Sequence, residues 1–132
     1  MTFRTTEGAA AVASSAWGIA ESDPALVARV QDRMDEVEKQ LAVAVHDDDG
    51  FVGEAAGHLL AAGGKRFRPL VVLLAAEFGD QPGSDDVPPA AVVIELTHLA
   101  TLYHDDVMDE AALRRGAASA NARWDNSIAI LT

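Results

Sequence analysis

Between Leu26 and Val45 the apolar residues Leu26, Val30, Met34, Val37, Leu41 and Val45 recur at steps of three and four, which is the period of one face of an α-helix. Asp23 and Pro24 stand directly before this stripe as an N-cap and a first-turn proline, so the pattern predicts an amphipathic helix that stops near Asp47. Alanine supplies about a fifth of the 132 residues and aromatics only 5%, a balance that favours helix over strand. An all-α chain forming one domain, or part of one, is expected.

The remaining elements follow the same logic. Asp47, Asp48, Asp49 and Gly50 read as an acidic turn, and a second helix from Phe51 is expected to end at Gly63, where a left-handed conformation suits glycine. The run from Leu70 to Phe78 lies between Pro69 and Gly79 and reads as a helix buried on most faces. Asp80 to Asp86 is a loop by composition, and Val87, Pro88 and Pro89 open a long helix to about Glu110. Along that helix Val92, Leu96, Leu99, Tyr103 and Val107 form an apolar stripe, while His98, Thr101, Asp105 and Asp109 line another face. Residues 1–22, Ala-rich with Arg4 and Glu7, read as a flexible leader, leaving 23–132 as the helical domain.

Charge and composition exclude several functions. The formal net charge of −11 excludes a general nucleic-acid binder, and 49% hydrophobic residues exclude intrinsic disorder. With no cysteine, disulfides, thiolate nucleophiles and Cys-ligated zinc are impossible, and a reducing cytoplasm is the default expectation. The longest uninterrupted apolar run, Leu70 to Ala76, is far short of the roughly 20 residues of a membrane-crossing helix.

Three segments carry chemistry. Asp105, Asp106, Val107, Met108 and Asp109 form the pattern DDxxD near a helix end, and residues four apart project carboxylates side by side. Two such anions repel unless a cation lies between them, which points to magnesium held by Asp105 and Asp109; a solvated acidic helix end is the plainer alternative. Arg114, Arg115 and Gly116 follow one short loop later and suit an anion gripped by bidentate hydrogen bonds, or simply counter-charge for Asp109 and Glu110. Gly63 to Pro69 places Lys65, Arg66 and Arg68 beside two glycines and a helix start, a diphosphate cradle in outline, with a helix C-cap and solvated basic turn as its alternative.

Together these segments resemble the trans-type polyprenyl diphosphate synthases: GGKRFRP at Gly63 to Pro69, the helix ELTHLATLYHDDVMDEAALRRG, and SANARWDNSIAIL at Ser119 to Leu131, covering the second half of the chain. The resemblance implies an isoprenoid-synthase-like helical bundle around a central cavity, and magnesium-dependent addition of isopentenyl diphosphate to an allylic prenyl diphosphate. It implies that Asp105 and Asp109, with Asp106 in the same motif, hold magnesium against the allylic diphosphate and that Arg114 contacts that diphosphate. Lys65, Arg68, His98 and Arg115 would grip the diphosphate of isopentenyl diphosphate. Ala100 and Thr101, small residues just before the motif, imply a medium or long polyprenyl product. In such a reaction, cation and arginines stabilise the departing diphosphate, and no protein nucleophile is needed.

The second aspartate-rich motif of that family has no counterpart after Gly116, where only Asp125 remains. The chain is therefore expected to be the N-terminal half of the bundle, incomplete for catalysis alone. Its uncovered apolar faces predict self-association, expected as a homodimer, or completion by the missing half or a partner chain. Two other readings stand beside this one. His104 with Asp105 is the dipeptide of HD-type metal phosphohydrolases, with His58 or His98 as a further ligand, and a non-catalytic subunit of a heteromeric prenyl synthase would keep the helices.

Overall fold

The computed structural model describes residues 23–46 and 50–132, so the expected leader over 1–22 and the aspartates of the acidic turn lie outside the described residues. The elements are α1 (Pro24–Ala44), α2 (Gly50–Ala61), α3 (Phe67–Ala76), α4 (Val87–Met108), β1 (Leu113–Arg114), β2 (Ala117–Ala118), α5 (Ala120–Arg123) and α6 (Asn126–Leu131). The Asp23 carboxylate accepts from the N–H groups of Ala25 and Leu26 at 2.9 and 3.0 Å, which satisfies donors that the first turn of α1 leaves open. None of these helices is long and apolar enough to cross a membrane.

α4 is the element against which the others are built. Its N-terminal half carries Ala91 and Val92 into a core with Val30, Val37 and Leu41 of α1 and Leu70 and Leu73 of α3. Its C-terminal half carries Leu99 and Tyr103 into a second core with Leu59 of α2, Ala120 of α5 and Ala129 of α6. Burying each large aliphatic side chain stabilises these contacts by about 1.5–3 kcal/mol. The apolar periodicity of α1 and α4 is thus the packing pattern itself.

Three expectations need correction. α3 buries one face only, through Pro69, Leu70 and Leu73, whereas Val71 and Phe67 are 45% and 48% exposed, because α1 and α4 are its neighbours and both lie on that side. It also begins at Phe67 rather than Pro69; a proline in the first turn displaces no intrahelical bond, since N–H groups there have no partner. α4 ends at Met108, with Asp109 as its cap and Glu110 at φ +50°.

Gly63 adopts φ +83° just past α2 and its N–H reaches Leu60 O at 3.1 Å, the glycine termination the sequence predicts. The β1–β2 hairpin was not legible in the sequence. Arg115 and Gly116 both have positive φ, +54° and +79°, as a two-residue primed turn requires, but strands of two residues are too short for alternation to show. Ser119 pins the return: its hydroxyl donates to Ala111 O at 2.5 Å and its N–H to Ala112 O at 3.1 Å.

Candidate functional site

Lys65, Arg68, His98 and Arg115, fifty residues apart at the extremes, line one open cleft of about 460 Å³. The α2–α3 loop supplies Gly63 to Arg66, the first turn of α3 supplies Phe67 and Arg68, α4 supplies Glu95 and His98, and the hairpin turn supplies Arg115. Lys65 and Arg68 are exposed, and neither side chain makes an ion pair among the described residues. Arg115 Nη1 donates to Leu59 O at 3.0 Å and to Gly63 O. Leu59 lies in the last turn of α2 and Gly63 just past it, so the guanidinium caps a helix C-terminus where cations are favoured.

Gly64 lies between two guanidinium groups: a Cβ there would stand 3.1 Å from a nitrogen of Arg66 and a nitrogen of Arg115. Both arginines are fixed by other bonds, so the missing side chain is what lets them close over the loop.

Burial first, and then the Arg68 guanidinium, hold His98 below the usual 6.5, while Glu95 acts in the opposite direction. His98 is therefore neutral at pH 7 and acts as a hydrogen-bonding group rather than a fixed cation. Because its folded value is depressed, the unfolded chain takes up the proton first, and His98 withdraws stability as pH falls through about 6.5. An NMR titration of the His98 ring is expected to give a midpoint below 6.5, and Arg68→Ala is expected to move it upward; a midpoint at or above 6.5 would refute this electrostatic picture.

Two turns beyond His98, at a rise of about 1.5 Å per residue, α4 ends in the acidic motif. Asp105 is half-buried and Asp109 exposed, and their carboxylates make no hydrogen bond or ion pair among the described residues. Asp106 faces the other way. It is fully buried, continuing the stripe of Val92, Glu95, Leu99 and Tyr103, and its Oδ1 receives Arg114 Nε at 2.7 Å and Nη2 at 2.5 Å. That hydrogen bond pushes the Arg114 pKa up, and Asp106 Oδ2 has no partner among the described residues. Arg114 does serve as counter-charge, first to Asp106 and at longer range to Asp105 and Asp109.

Asp105 and Asp109 fit magnesium in one specific way. No group of three or more Asp, Glu, His or Cys poised for a cation occurs among the described residues, so these residues do not build an all-protein cage. Magnesium uses one or two carboxylates and completes its shell with water and phosphate oxygens, and two accessible carboxylates one turn apart meet that demand.

Residues 50–132 match the family model for polyprenyl synthetase. The chain belongs to the polyprenyl synthetase family. It is similar to nonaprenyl diphosphate synthase of Mycobacterium tuberculosis, 48% identical over 114 residues, which is 86% of this chain and 34% of that protein. It is similar to heptaprenyl diphosphate synthase component 2 of Geobacillus stearothermophilus, 48% identical over 108 residues, covering 82% and 33% of the two chains. A crystal structure of polyprenyl synthase from Caulobacter crescentus complexed with calcium and isoprenyl diphosphate superposes with a TM-score of 0.70 at 35% identity, over 80% of this chain and 32% of that one. The chain thus spans about a third of the length of the relatives it matches, and its helices have the fold of that part of a polyprenyl synthase.

Within this polyprenyl synthetase segment, the histidines needed for an HD-type site are dispersed. His58 Nε2 lies 2.6 Å from Ala118 O and its ring meets Trp124 edge-on at 5.1 Å, while His104 is near Ile130 O and His98 lines the cleft. Ala100 and Thr101 are exposed, the Thr101 hydroxyl donating to His98 O at 2.7 Å. Glu95 escaped the sequence reading, although a carboxylate at a stripe position between Val92 and Leu99 was itself a signal, since a buried charge requires a partner.

Proposed function

We propose that the chain carries the diphosphate-binding part of a trans-polyprenyl diphosphate synthase, joining isopentenyl diphosphate to an allylic prenyl diphosphate. The observation that carries the reading is the gathering of Lys65, Arg68, His98 and Arg115 in one cleft, two helical turns from the accessible pair Asp105 and Asp109. Lys65, Arg68 and Arg115 supply charge to the diphosphate of isopentenyl diphosphate, and neutral His98 supplies a directed hydrogen bond. Asp105 and Asp109 would hold magnesium against the allylic diphosphate, with Asp106 fixing Arg114 beside them. The bound cation supplies charge neutralisation for a diphosphate leaving group. The chain's own residues bind the two anions on one helix face and set their separation, which is the larger part of bringing two substrates into reacting geometry.

Ala100 and Thr101 leave room along α4 ahead of the motif, which supports a medium- or long-chain product. The remainder of the site is proposed to come from further chain, a second copy or a partner; that the Geobacillus relative is named component 2 of its synthase supports a partner. A purely non-catalytic subunit is disfavoured by the accessible Asp105 and Asp109. Calorimetric titration of an allylic diphosphate with and without magnesium tests the proposal: Asp105→Ala is expected to abolish the magnesium-dependent part of binding, and unchanged binding would remove the metal role.

A further inference from the structure

The geometry points to Arg66 as a positioning residue, whose guanidinium, tied to Glu38 on α1 and Glu95 on α4, holds the α2–α3 loop and the first turn of α3 in the shape that presents Lys65 and Arg68 to the cleft. This assignment rests on the diphosphate reading of that cleft. The loop and the first turn of α3 put three cations into four positions, yet they take different paths. Lys65 and Arg68 are exposed, whereas the Arg66 side chain keeps only 11% exposure.

Arg66 Nε lies 2.5 Å from Glu38 Oε1 and Nη2 lies 3.3 Å from Glu38 Oε2, a forked grip that a lysine has no geometry to make. Nη1 reaches Glu95 Oε1 at 3.3 Å, and Nη2 also approaches Leu60 O at 3.4 Å. One side chain thereby fastens the loop to α1, to the end of α2 and to α4. The Arg66 backbone has φ +47°, a left-handed conformation disfavoured for any residue with a Cβ, and it sits at the N-cap of α3. These ion pairs hold the turn there.

Glu95 separates a positioning role from a purely electrostatic one. A carboxylate only 2% exposed on the wall of an anion-binding cleft opposes the ligand by Coulomb repulsion. Its contact with Arg66 explains its presence: the pair consumes the charge of Arg66 and fixes the loop, leaving Lys65 and Arg68 for the ligand. Electrostatics and positioning therefore predict opposite signs when Glu95 is neutralised.

The experiment is calorimetric titration of inorganic diphosphate into the 132-residue chain and its variants, well below their thermal midpoints. Glu95→Gln is expected to weaken binding about tenfold, although it removes a negative charge from the cleft. Lys65→Ala is expected to weaken binding in the native background and to add at most about a twofold loss in the Glu95→Gln background, because Lys65 is then no longer placed. A merely structural role would lower the thermal midpoint and leave the Lys65 contribution intact. Tighter or unchanged binding by folded Glu95→Gln, or full additivity with Lys65→Ala, would overturn the positioning role. Should Glu95→Gln lose its helical circular dichroism, Glu38→Gln at the 41% exposed partner carries the same test with the same sign. Native chain that fails to bind diphosphate, or Lys65→Ala without effect on it, would overturn the diphosphate reading itself and the positioning role with it.

Discussion

Arg114→Ala is expected to destabilise the chain by about 3 kcal/mol, the lower end for breaking a buried ion pair, because Arg114 keeps 30% side-chain exposure while Asp106 has none. The loss arises less from the attraction removed than from the carboxylate left behind. Asp106 Oδ1 receives two guanidinium nitrogens, Nε and Nη2, and Oδ2 already has no partner among the described residues. Without Arg114, a fully buried carboxylate faces the apolar stripe of α4 with both of its guanidinium hydrogen bonds gone. Urea unfolding monitored by circular dichroism measures the effect, with the midpoint shifting and the slope unchanged. A loss under about 1 kcal/mol would mean that water reaches the pair and screens it as a surface bridge.

Tyr103→Ala is expected to cost about 3–5 kcal/mol, the range for truncating a buried aromatic side chain. Tyr103 is 3% exposed in the core between α2 and α4. Its hydroxyl accepts from Leu59 N–H at 3.1 Å and donates to Ala55 O at 2.7 Å, two groups that an α-helix pairs with each other. The ring therefore fills the core while the hydroxyl fixes one turn of α2. Leu59 O in that same turn anchors Arg115, so the substitution loosens the cleft as well as the core. Tyr103→Phe keeps the ring and lets Leu59 and Ala55 pair directly, and a loss of only about 1 kcal/mol is expected. Hydrogen exchange at the Leu59 amide distinguishes the two variants; equal losses would show that the hydroxyl, not the ring, dominates.

The difference between Asp106 and its neighbours shows how far the sequence alone reaches. Spacing of four placed Asp105 and Asp109 on one helix face, and helical periodicity is reliable because the backbone enforces it. The same periodicity, continued from Val92 through Leu99 and Tyr103, carries Asp106 into the core, but a polar residue on an apolar stripe was grouped with its motif instead of its face. The α1 cap at Asp23, the glycine termination at Gly63 and the loop before α4 were legible because each depends on one residue's local chemistry. The burial of α3 was overestimated because a run of aliphatics records composition, whereas burial depends on which neighbours arrive. The stripe position of Glu95 signalled that it needs a partner, but its pairing with Arg66, 29 positions away, became visible only in the fold, because no local pattern encodes a long-range contact.

The measurement that tests the account most directly is the magnesium dependence of binding for the two substrate classes, made on the same chain by calorimetry. Isopentenyl diphosphate, gripped by Lys65, Arg68, His98 and Arg115, is predicted to bind with little change when magnesium is withdrawn. An allylic diphosphate is predicted to lose its binding without magnesium and equally in Asp105→Ala with magnesium present. Equal magnesium dependence for both diphosphates, or allylic binding unaffected by Asp105→Ala, would contradict the division of one helix face into a cationic cleft and a cation-holding carboxylate pair.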